Sequence, residues 1–314
     1  MTTTSEHISA SATTVESARP DAITLACFAG VVLIAGINPV AVRFSNQELA
    51  PFWGAGIRFA VAAVLLFAIA AVKRLHFPRG RALVGTVLYG LFGGLGAYAF
   101  LYLGLAHLKA SLAAPIMASV PLITFFLALA HRIERFHWRG LAGGVVSLAG
   151  IAVLSGVGRA GHAPIKYLLC VVAAAVCASE AGIVVKKFPP VHPIMMNALA
   201  MVVATAGLMI LTFVVGEHHA IPHHAKTWWS LGFLTIFGSV VLFVLFVNVV
   251  TRWTVTGASY QFVLFPLVAV LLASWIAHEH ISASLAAGAA LVLAGVYVGA
   301  LSGRRTRTAP SAPC

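Results

Sequence analysis

Charged side chains are scarce in this chain of 314 residues, at 9% of the total, against about 25% in an ordinary soluble domain. Hydrophobic residues make up 61%. A soluble protein with this composition would have to expose large apolar patches to water. The scarcity of charge therefore argues against a soluble domain and indicates a lipid bilayer as the solvent.

Sequence motifs of common enzymes are also absent. The chain has no GxxxxGK(S/T), HExxH or GxSxG motif and no dinucleotide-binding glycine pattern. Without a nucleotide-binding loop, ATP is excluded as the direct energy source. The four cysteines form no CxxC pair, so neither a disulfide framework nor a zinc site is indicated. We expect a protein that is not an enzyme and that carries no cofactor.

Basic residues are present in excess and give a net charge of +12, but they lie between apolar runs in alternate loops. This distribution follows the positive-inside rule and argues against nucleic-acid binding. If both termini are inside, 14 lysines and arginines fall on the cytoplasmic side and four fall outside. We therefore predict a multi-pass protein of the inner membrane with both termini in the cytoplasm.

Apolar segments long enough to cross a bilayer occur ten times, since about 20 residues span the hydrocarbon core as a helix. We predict an all-α integral membrane protein with ten transmembrane helices. The predicted spans are residues 22–44, 51–72, 82–105, 110–130, 139–157, 165–185, 192–215, 228–250, 256–277 and 283–302.

An internal repeat accounts for this number of helices. Residues 113–153 recur 145 positions later as residues 258–298, with Pro121, Glu134, Gly143 and Gly150 matched by Pro266, Glu279, Gly288 and Gly295. Five helices per repeat is an odd number, so the second repeat must insert upside down relative to the first. Two inverted five-helix repeats are typical of secondary transporters, whose solute site lies between the repeats.

These motifs resemble a known family. The run GLAHLKASLAA from Gly104 to Ala114, with Pro121 and Glu134, and the second copy with Gly257-Ala-Ser and Pro266, are similar to EamA-type members of the drug/metabolite transporter superfamily. The resemblance implies two inverted five-helix repeats around a central cavity and transport of small organic solutes, commonly export of amino acids or related metabolites. The chain departs from the family pattern at Ala35-Gly36 and at Leu264-Phe-Pro266, where the family often has Trp-Gly and Leu-Glu-Pro.

The domain boundaries follow from the repeat. We predict a disordered cytoplasmic tail over residues 1–20, a first repeat over 21–158, a second repeat over 162–302 and a cytoplasmic tail over 303–314. The first tail is rich in Ser, Thr and Ala and lacks the basic start and early apolar core of a signal peptide.

Glu180 is the acidic residue predicted to lie deepest within a span. Its neighbours three and four positions away on the same helix, such as Cys177 and Val184, cannot neutralise it. An ionisable residue inside the membrane is rare and is typically functional. Glu180 is therefore predicted to face a cavity or a partner helix and to take part in proton coupling or solute binding, with a hydrogen-bonded structural role as the alternative.

Asn38 and Arg58 are the matching candidates in the first repeat. Asn38 lies 142 residues before Glu180 and precedes Pro39, which removes a helical hydrogen bond. Arg58 lies about 10 Å into the second span by helical rise, where it either reaches the outer interface or pairs with a solute carboxylate. Either residue can also be structural.

Depth along the spans sorts the other polar residues into two groups. Tyr98 and Tyr102 reach the outer leaflet with Asn38 and Arg58. The inner group comprises Asn197, Asn248, Tyr260 and Gln261 with Glu180. Two polar clusters on opposite sides of the midplane are what alternating access requires, so all nine residues are predicted to bind solute or to couple transport, with a structural role as the alternative for each one taken alone.

The remaining polar positions are predicted to be structural. Glu134 is expected to cap the fifth helix. The four histidines of residues 218–224 lack the ligands of a complete metal shell, so a solvated loop is expected. Gly140 with Gly144, and Gly295 with Gly299, permit close helix packing, either within the chain or in a homodimer.

The sequence thus predicts a secondary transporter that exports a small metabolite, such as an amino acid, by alternating access. An uptake permease and a broad-specificity drug exporter stay open, as does proton or ion coupling. A non-transporting membrane scaffold or an integral membrane enzyme is the alternative from another class. The partners expected are the solute and the lipid bilayer.

Overall fold

The computed structural model describes residues 20–108, 113, 116–155, 164–276 and 283–301, and every regular element in these ranges is helical. The helices are α1 (Ala22–Ser45), α2 (Pro51–Val72), α3 (Arg81–Leu105), α4 (Val120–Ala130), α5 (Trp138–Ser155), α6 (Ile165–Lys187), α7 (Pro193–Val215), α8 (Ala225–Arg252), α9 (Val255–Ser259), α10 (Gln261–Ile276) and α11 (Ala283–Val296).

Six of these helices, α1, α2, α3, α6, α7 and α8, are long and apolar enough to cross a membrane. Their bounds follow the prediction closely, and α2 has the predicted bounds of residues 51–72. The ninth predicted span, residues 256–277, is divided into α9 and α10 by a turn at Tyr260. Ten spans stay a prediction, since the other described helices are shorter.

Local sequence sets where several of these helices begin and end. Pro51 and Pro193 occupy the first turns of α2 and α7, where the missing N–H costs no helical hydrogen bond. Gly216 ends α7 with a φ of 74°, a left-handed conformation that glycine adopts without strain. Outward-facing side chains such as Val72 and Val214 are exposed and form the apolar surface that a bilayer would cover.

Helices at equivalent positions in the two halves pack against each other in opposite directions. The first residues of α2 contact Glu217 at the end of α7, so α2 and α7 are antiparallel. In the same way, Gly143 near the start of α5 lies against Gly299, in the π-helical segment Tyr297–Leu301 that continues α11, while Gly150 lies against Val292. Without side chains, these glycines bring the two backbones into direct contact.

The other contacts between helices also occur in equivalent pairs: where a helix of the first half packs on the second half, its counterpart in the second half packs on the first. Helix α3 packs against α6, and its equivalent α8 packs against α1. Helix α4 packs against α6, and its equivalent α10 packs against α1. The core therefore lies between the halves, with α1 and α6 each inserted among helices of the other half.

Helices α3 and α8 both widen into a π-helical segment, over Gly90–Gly96 and Ile236–Val241. These segments occupy equivalent positions in the two halves. A π-helical turn interrupts the regular hydrogen-bond ladder and often occurs at functional sites. Each half thus bends a helix at the level of the polar residues predicted for α1 and α6.

Replacing Gly143 with alanine tests the close packing of α5 on α11. A Cβ at this position would collide with the backbone of Gly299, so we expect a loss of about 1–3 kcal/mol in the free energy of unfolding. Gly232 is the matched control, because a Cβ there meets no atom within 4 Å, and Gly232→Ala should leave stability unchanged or raise it by up to about 1 kcal/mol. Thermal unfolding in detergent measures both, and equal melting temperatures would contradict the packing described.

Candidate functional site

Arg58 lies inside the bundle with 3% of its surface exposed. Its guanidinium carbon is 4.8 Å from the ring centre of Phe59 and 5.0 Å from that of Tyr98 on α3. Such contacts with ring faces stabilise a buried cation by about 0.5–2 kcal/mol each. Arg58 therefore does not extend to the membrane interface, which was one of the two predicted possibilities.

The two rings that contact this guanidinium group belong to a cluster of aromatic side chains from three helices. Tyr98 packs edge-on against Phe59 at 5.1 Å and against Tyr102 at 5.9 Å, and Phe243 of α8 stacks on Tyr98 at 6.4 Å. The structure thus brings Arg58, Tyr98 and Tyr102 together, as their matched depth suggested. Sequence reasoning missed Phe59 and Phe243, because phenylalanine occurs in seven of the ten predicted spans and carries no positional signal.

Asn38 has different neighbours. Its side chain lies against Gly238 in the π-helical segment of α8, whereas Arg58 is held by α2 and α3. Its Oδ1 atom is buried and accepts no hydrogen bond from the residues that the structure describes. The structure therefore places Asn38 at a junction between the halves, apart from the aromatic contacts of Arg58.

Glu180 has a partner that sequence reasoning missed. Its Oε1 lies 3.2 Å from Nε2 of His131, in the turn that follows α4, and Nδ1 of the same ring lies 2.9 Å from Nζ of Lys187. A lysine ammonium group can only donate, so Nδ1 accepts from Lys187 and Nε2–H donates to Glu180. His131 therefore joins the deepest described acid to a lysine at the helix end.

Asn197 is fully buried and fully hydrogen-bonded. Its Nδ2 donates to the carbonyls of Pro193 at 2.8 Å and Phe243 at 3.1 Å, and its Oδ1 accepts from Tyr89 at 3.2 Å. These bonds fasten α7 to α3 and α8, so this residue is already engaged in helix packing. Asn248 donates to the carbonyl of Val244 on its own helix at 2.8 Å.

Tyr260 and Gln261 lie at the turn between α9 and α10. The hydroxyl of Tyr260 donates to the carbonyl of Gly140 at 3.0 Å, and the residue is fully buried. Gln261 is 2% exposed, and its Oε1 accepts no hydrogen bond within the described part of the chain. Of this pair, only Gln261 keeps an unused polar atom for another partner.

Two carboxylates join the halves at the predicted outer end, where α1 ends and α2 begins. Glu217 accepts from the backbone N–H groups of Phe52 and Trp53 at 3.1 and 2.8 Å, so it caps α2. Glu48 accepts from the backbone N–H groups of His223 and His224, at the start of α8. The first turns of α2 and α8 carry unpaired N–H groups and a positive partial charge, and a carboxylate at this position stabilises them.

The opposite, predicted inner end has its own acid contacts. Glu134 accepts from the backbone N–H of Thr256 at 3.0 Å, so it caps α9 rather than the fifth helix as predicted. Lys186 donates to the carbonyl of Thr251 at the end of α8. At this end Asp21 also lies 4.0 Å from Arg252. Glu134 and Asp21, which both belong to the first half, thus each contact the second half.

The four histidines of the segment 218–224 are exposed to solvent, as expected, and the segment also contacts the bundle. The ring of His219 packs on Trp53 at 4.7 Å, and Nε1 of Trp53 donates to the carbonyl of Ala220 at 2.9 Å. Among the described residues, no three His, Cys, Asp or Glu side chains are grouped to hold a metal ion. The segment therefore covers the predicted outer end.

A narrow cavity between α4, α6, α8 and α9 has room for about one water molecule. Its polar lining comes from Thr124, Ser179 and Ser259. Thr124 Oγ1 has no hydrogen-bond partner among the described residues. Both ends are joined by carboxylates, and this cavity between the halves is too narrow for a metabolite.

The arrangement of two matching halves agrees with the comparison to known proteins. The EamA-like transporter family model matches residues 22–156 and again residues 165–300. The chain belongs to the EamA-like transporter family. The resemblance inferred from the repeated proline, glutamate and glycine motifs is confirmed, and this EamA-like protein is a multi-pass membrane protein.

Relatives of the EamA-like protein are transporters by name. It is 26% identical to the uncharacterized inner membrane transporter YedA of Escherichia coli (strain K12), over 80% of this chain and 81% of that protein. It is 28% identical to the uncharacterized transporter YvbV of Bacillus subtilis (strain 168), over 88% and 91%. It is 27% identical to the "Probable amino-acid metabolite efflux pump" of Salmonella typhimurium (strain LT2), over 89% and 95%.

A solved crystal structure supports the fold of the EamA-like protein. It matches with a TM-score of 0.75 and 20% identity, and the match covers 90% of this chain and 99% of the other. At this identity the likeness establishes the fold alone.

The contact of Glu48 with the start of α8 predicts a pH dependence of stability. Hydrogen bonds from the Thr227 side chain and from the His223 and His224 backbones lower the pKa of Glu48 from 4.5 to about 2. Because the pKa is lower in the folded state, the contribution to stability is complete above about pH 4.5 and is lost as the pH falls towards 2. Glu48→Gln should therefore lower the melting temperature at pH 7, and the difference from wild type should shrink at pH 3. A difference that stays constant over this range would contradict the prediction.

Proposed function

We propose that this chain is a secondary carrier that moves a small organic solute across the inner membrane by alternating access. It would have ten spans in two inverted five-helix repeats, with the solute route between them. The antiparallel packing of the equivalent helices α2 and α7 is the observation that carries the proposal. Two halves related in this way present equivalent surfaces to the two sides of a membrane.

The acid contacts at each end support alternation. A hydrogen bond to a charged group contributes about 1.5–3 kcal/mol, so the few contacts at one end can break while those at the other persist. Glu48 and Glu217 would close the outer end, and Glu134 and Glu180 the inner end. In this proposal, solute binding favours states in which one of these pairs is broken.

The solute would be a small metabolite such as an amino acid, and the direction would be export. The name of the Salmonella relative supports this proposal.

The fourteen-to-four distribution of lysines and arginines supports an orientation with both termini in the cytoplasm. A reporter fused after Cys314 tests that orientation, since it should be active only on the cytoplasmic side.

Glu180 would couple transport to protons through His131. The neutral ring accepts from Lys187 and donates to Glu180, so it can pass a proton from one nitrogen to the other. His131 is 30% exposed and Glu180 19% exposed, which gives water partial access to the pair. A proton taken up by the Glu180 carboxylate would remove its negative charge, weaken its contact with His131 and favour opening there.

Counterflow in proteoliposomes tests the carrier function. Vesicles containing the purified chain are loaded with one unlabelled solute from a panel of amino acids, organic acids and amines, and uptake of the same labelled solute is measured. Exchange of at least one solute class that exceeds diffusion is expected. Absence of exchange for the whole panel, in vesicles where the protein is shown to be folded, would contradict the proposal.

Glu180→Gln tests the coupling role. The amide keeps the size and hydrogen-bonding capacity of the side chain but cannot release a proton, so accumulation driven by a pH gradient should fail. Counterflow should persist, because exchange needs no net proton movement. Glu134→Gln is the matched control at the same end, since it weakens only the cap on α9 and should change both activities alike. A Glu180→Gln variant with full pH-driven accumulation would return Glu180 to a structural role.

A further inference from the structure

The guanidinium group of Arg58 has no counter-ion among the residues that the structure describes. The side chain is 3% exposed, yet it forms no ion pair with the described acids, and its Nε–H is buried without an acceptor. An unpaired buried charge costs several kcal/mol. The contacts with the faces of Phe59 and Tyr98 offset only part of this cost.

Glu217, the acid at the start of the helix that carries Arg58, is already hydrogen-bonded to other groups. Glu217 caps the start of α2, which lies about 8 Å from Arg58 by helical rise. Its Oε1 accepts from Phe52, and its Oε2 accepts from Trp53 and from the hydroxyl of Thr212 at 2.7 Å. Three hydrogen bonds hold this carboxylate at the helix end, so it does not neutralise Arg58.

The contacts of Arg58 also fix what its free edge can bind. Phe59 and Tyr98 contact the guanidinium group with their ring faces, and the buried Nε–H donates to no acceptor among the described residues. A carboxylate fits the Nε–H and one Nη–H edge with two parallel hydrogen bonds. The hydroxyls of the neighbouring Tyr98 and Tyr102 form no hydrogen bond with described residues. Phe59, which contacts the guanidinium group, and Phe243, which stacks on Tyr98, are apolar neighbours.

We propose that Arg58 binds the carboxylate of the transported solute side-on, and that the solute is a monocarboxylate with an apolar body. This proposal rests on the carrier function proposed above and adds the substrate class. One buried positive charge neutralises one carboxylate, whereas a doubly charged phosphate would need a second cation, and an amine that lacks a carboxylate would be repelled. The aromatic rings select an apolar body because they can pack against it but donate few hydrogen bonds.

Solutes that differ only in the carboxyl group test this proposal. The full chain in lipid nanodiscs is titrated with leucine, leucinamide and 3-methylbutylamine, and with phenylalanine, phenylalaninamide and phenethylamine, while its melting temperature is recorded. The acids should raise the melting temperature, and the amides and amines should not.

Arg58→Gln should weaken binding of the acids by about ten- to hundred-fold, as expected for loss of a hydrogen-bonded charge. Arg58→Lys should fall between, since lysine keeps the charge but loses the planar edge.

Arg43→Gln is the matched control, because Arg43 is exposed near the end of α1 and should bind the acids as wild type does. Equal binding of an acid and its amide, or unchanged binding by folded Arg58→Gln and Arg58→Lys, would overturn the proposal. If those results came with counterflow of another solute class, the carrier function would stand and only the substrate class would fail. Absence of counterflow for every class by the wild-type chain would remove the carrier function itself.

Discussion

Contacts between acids of one half and groups of the other half are the interaction on which the rest of this structure depends. The chain has only eight acidic residues, and five lie in the described part: Asp21, Glu48, Glu134, Glu180 and Glu217. Each of the five contacts the opposite half. Three of them accept hydrogen bonds from backbone N–H groups at the start of a helix in that half, so the bonds that join the halves also cap a helix.

In the proposed carrier, this arrangement lets an apolar bundle be stable and still move. Glycines and small side chains pack α5 closely on α11, whereas the described carboxylates that join the halves lie at the two ends. The π-helical segments of α3 and α8 lie near Ala181 and Asn38, respectively. We therefore propose that motion at one end proceeds without loss of the central packing.

Much of the fold follows from local sequence, and much of the site does not. The bounds of α2 are readable because Pro51 begins an apolar run that ends before Lys73. The equal depth of Arg58 and Tyr98 in their predicted spans indicated that they lie close together, and they do. Depth along a span gives no sign that Glu217 reaches Trp53, 164 positions away, or that His131 meets Glu180. These contacts exist only once the halves are packed.

In the proposed carrier, the two ends open in alternation. In a variant without native cysteines, spin labels at the exposed positions 47 and 218 report the outer end, and labels at 135 and 189 report the inner end. Double electron–electron resonance measures both distances with and without a solute that the chain exchanges. Alternating access predicts that solute shifts each distance between a short and a long population, and that conditions that lengthen one shorten the other. A single unchanged distance at both ends, or joint widening of the two, would contradict it.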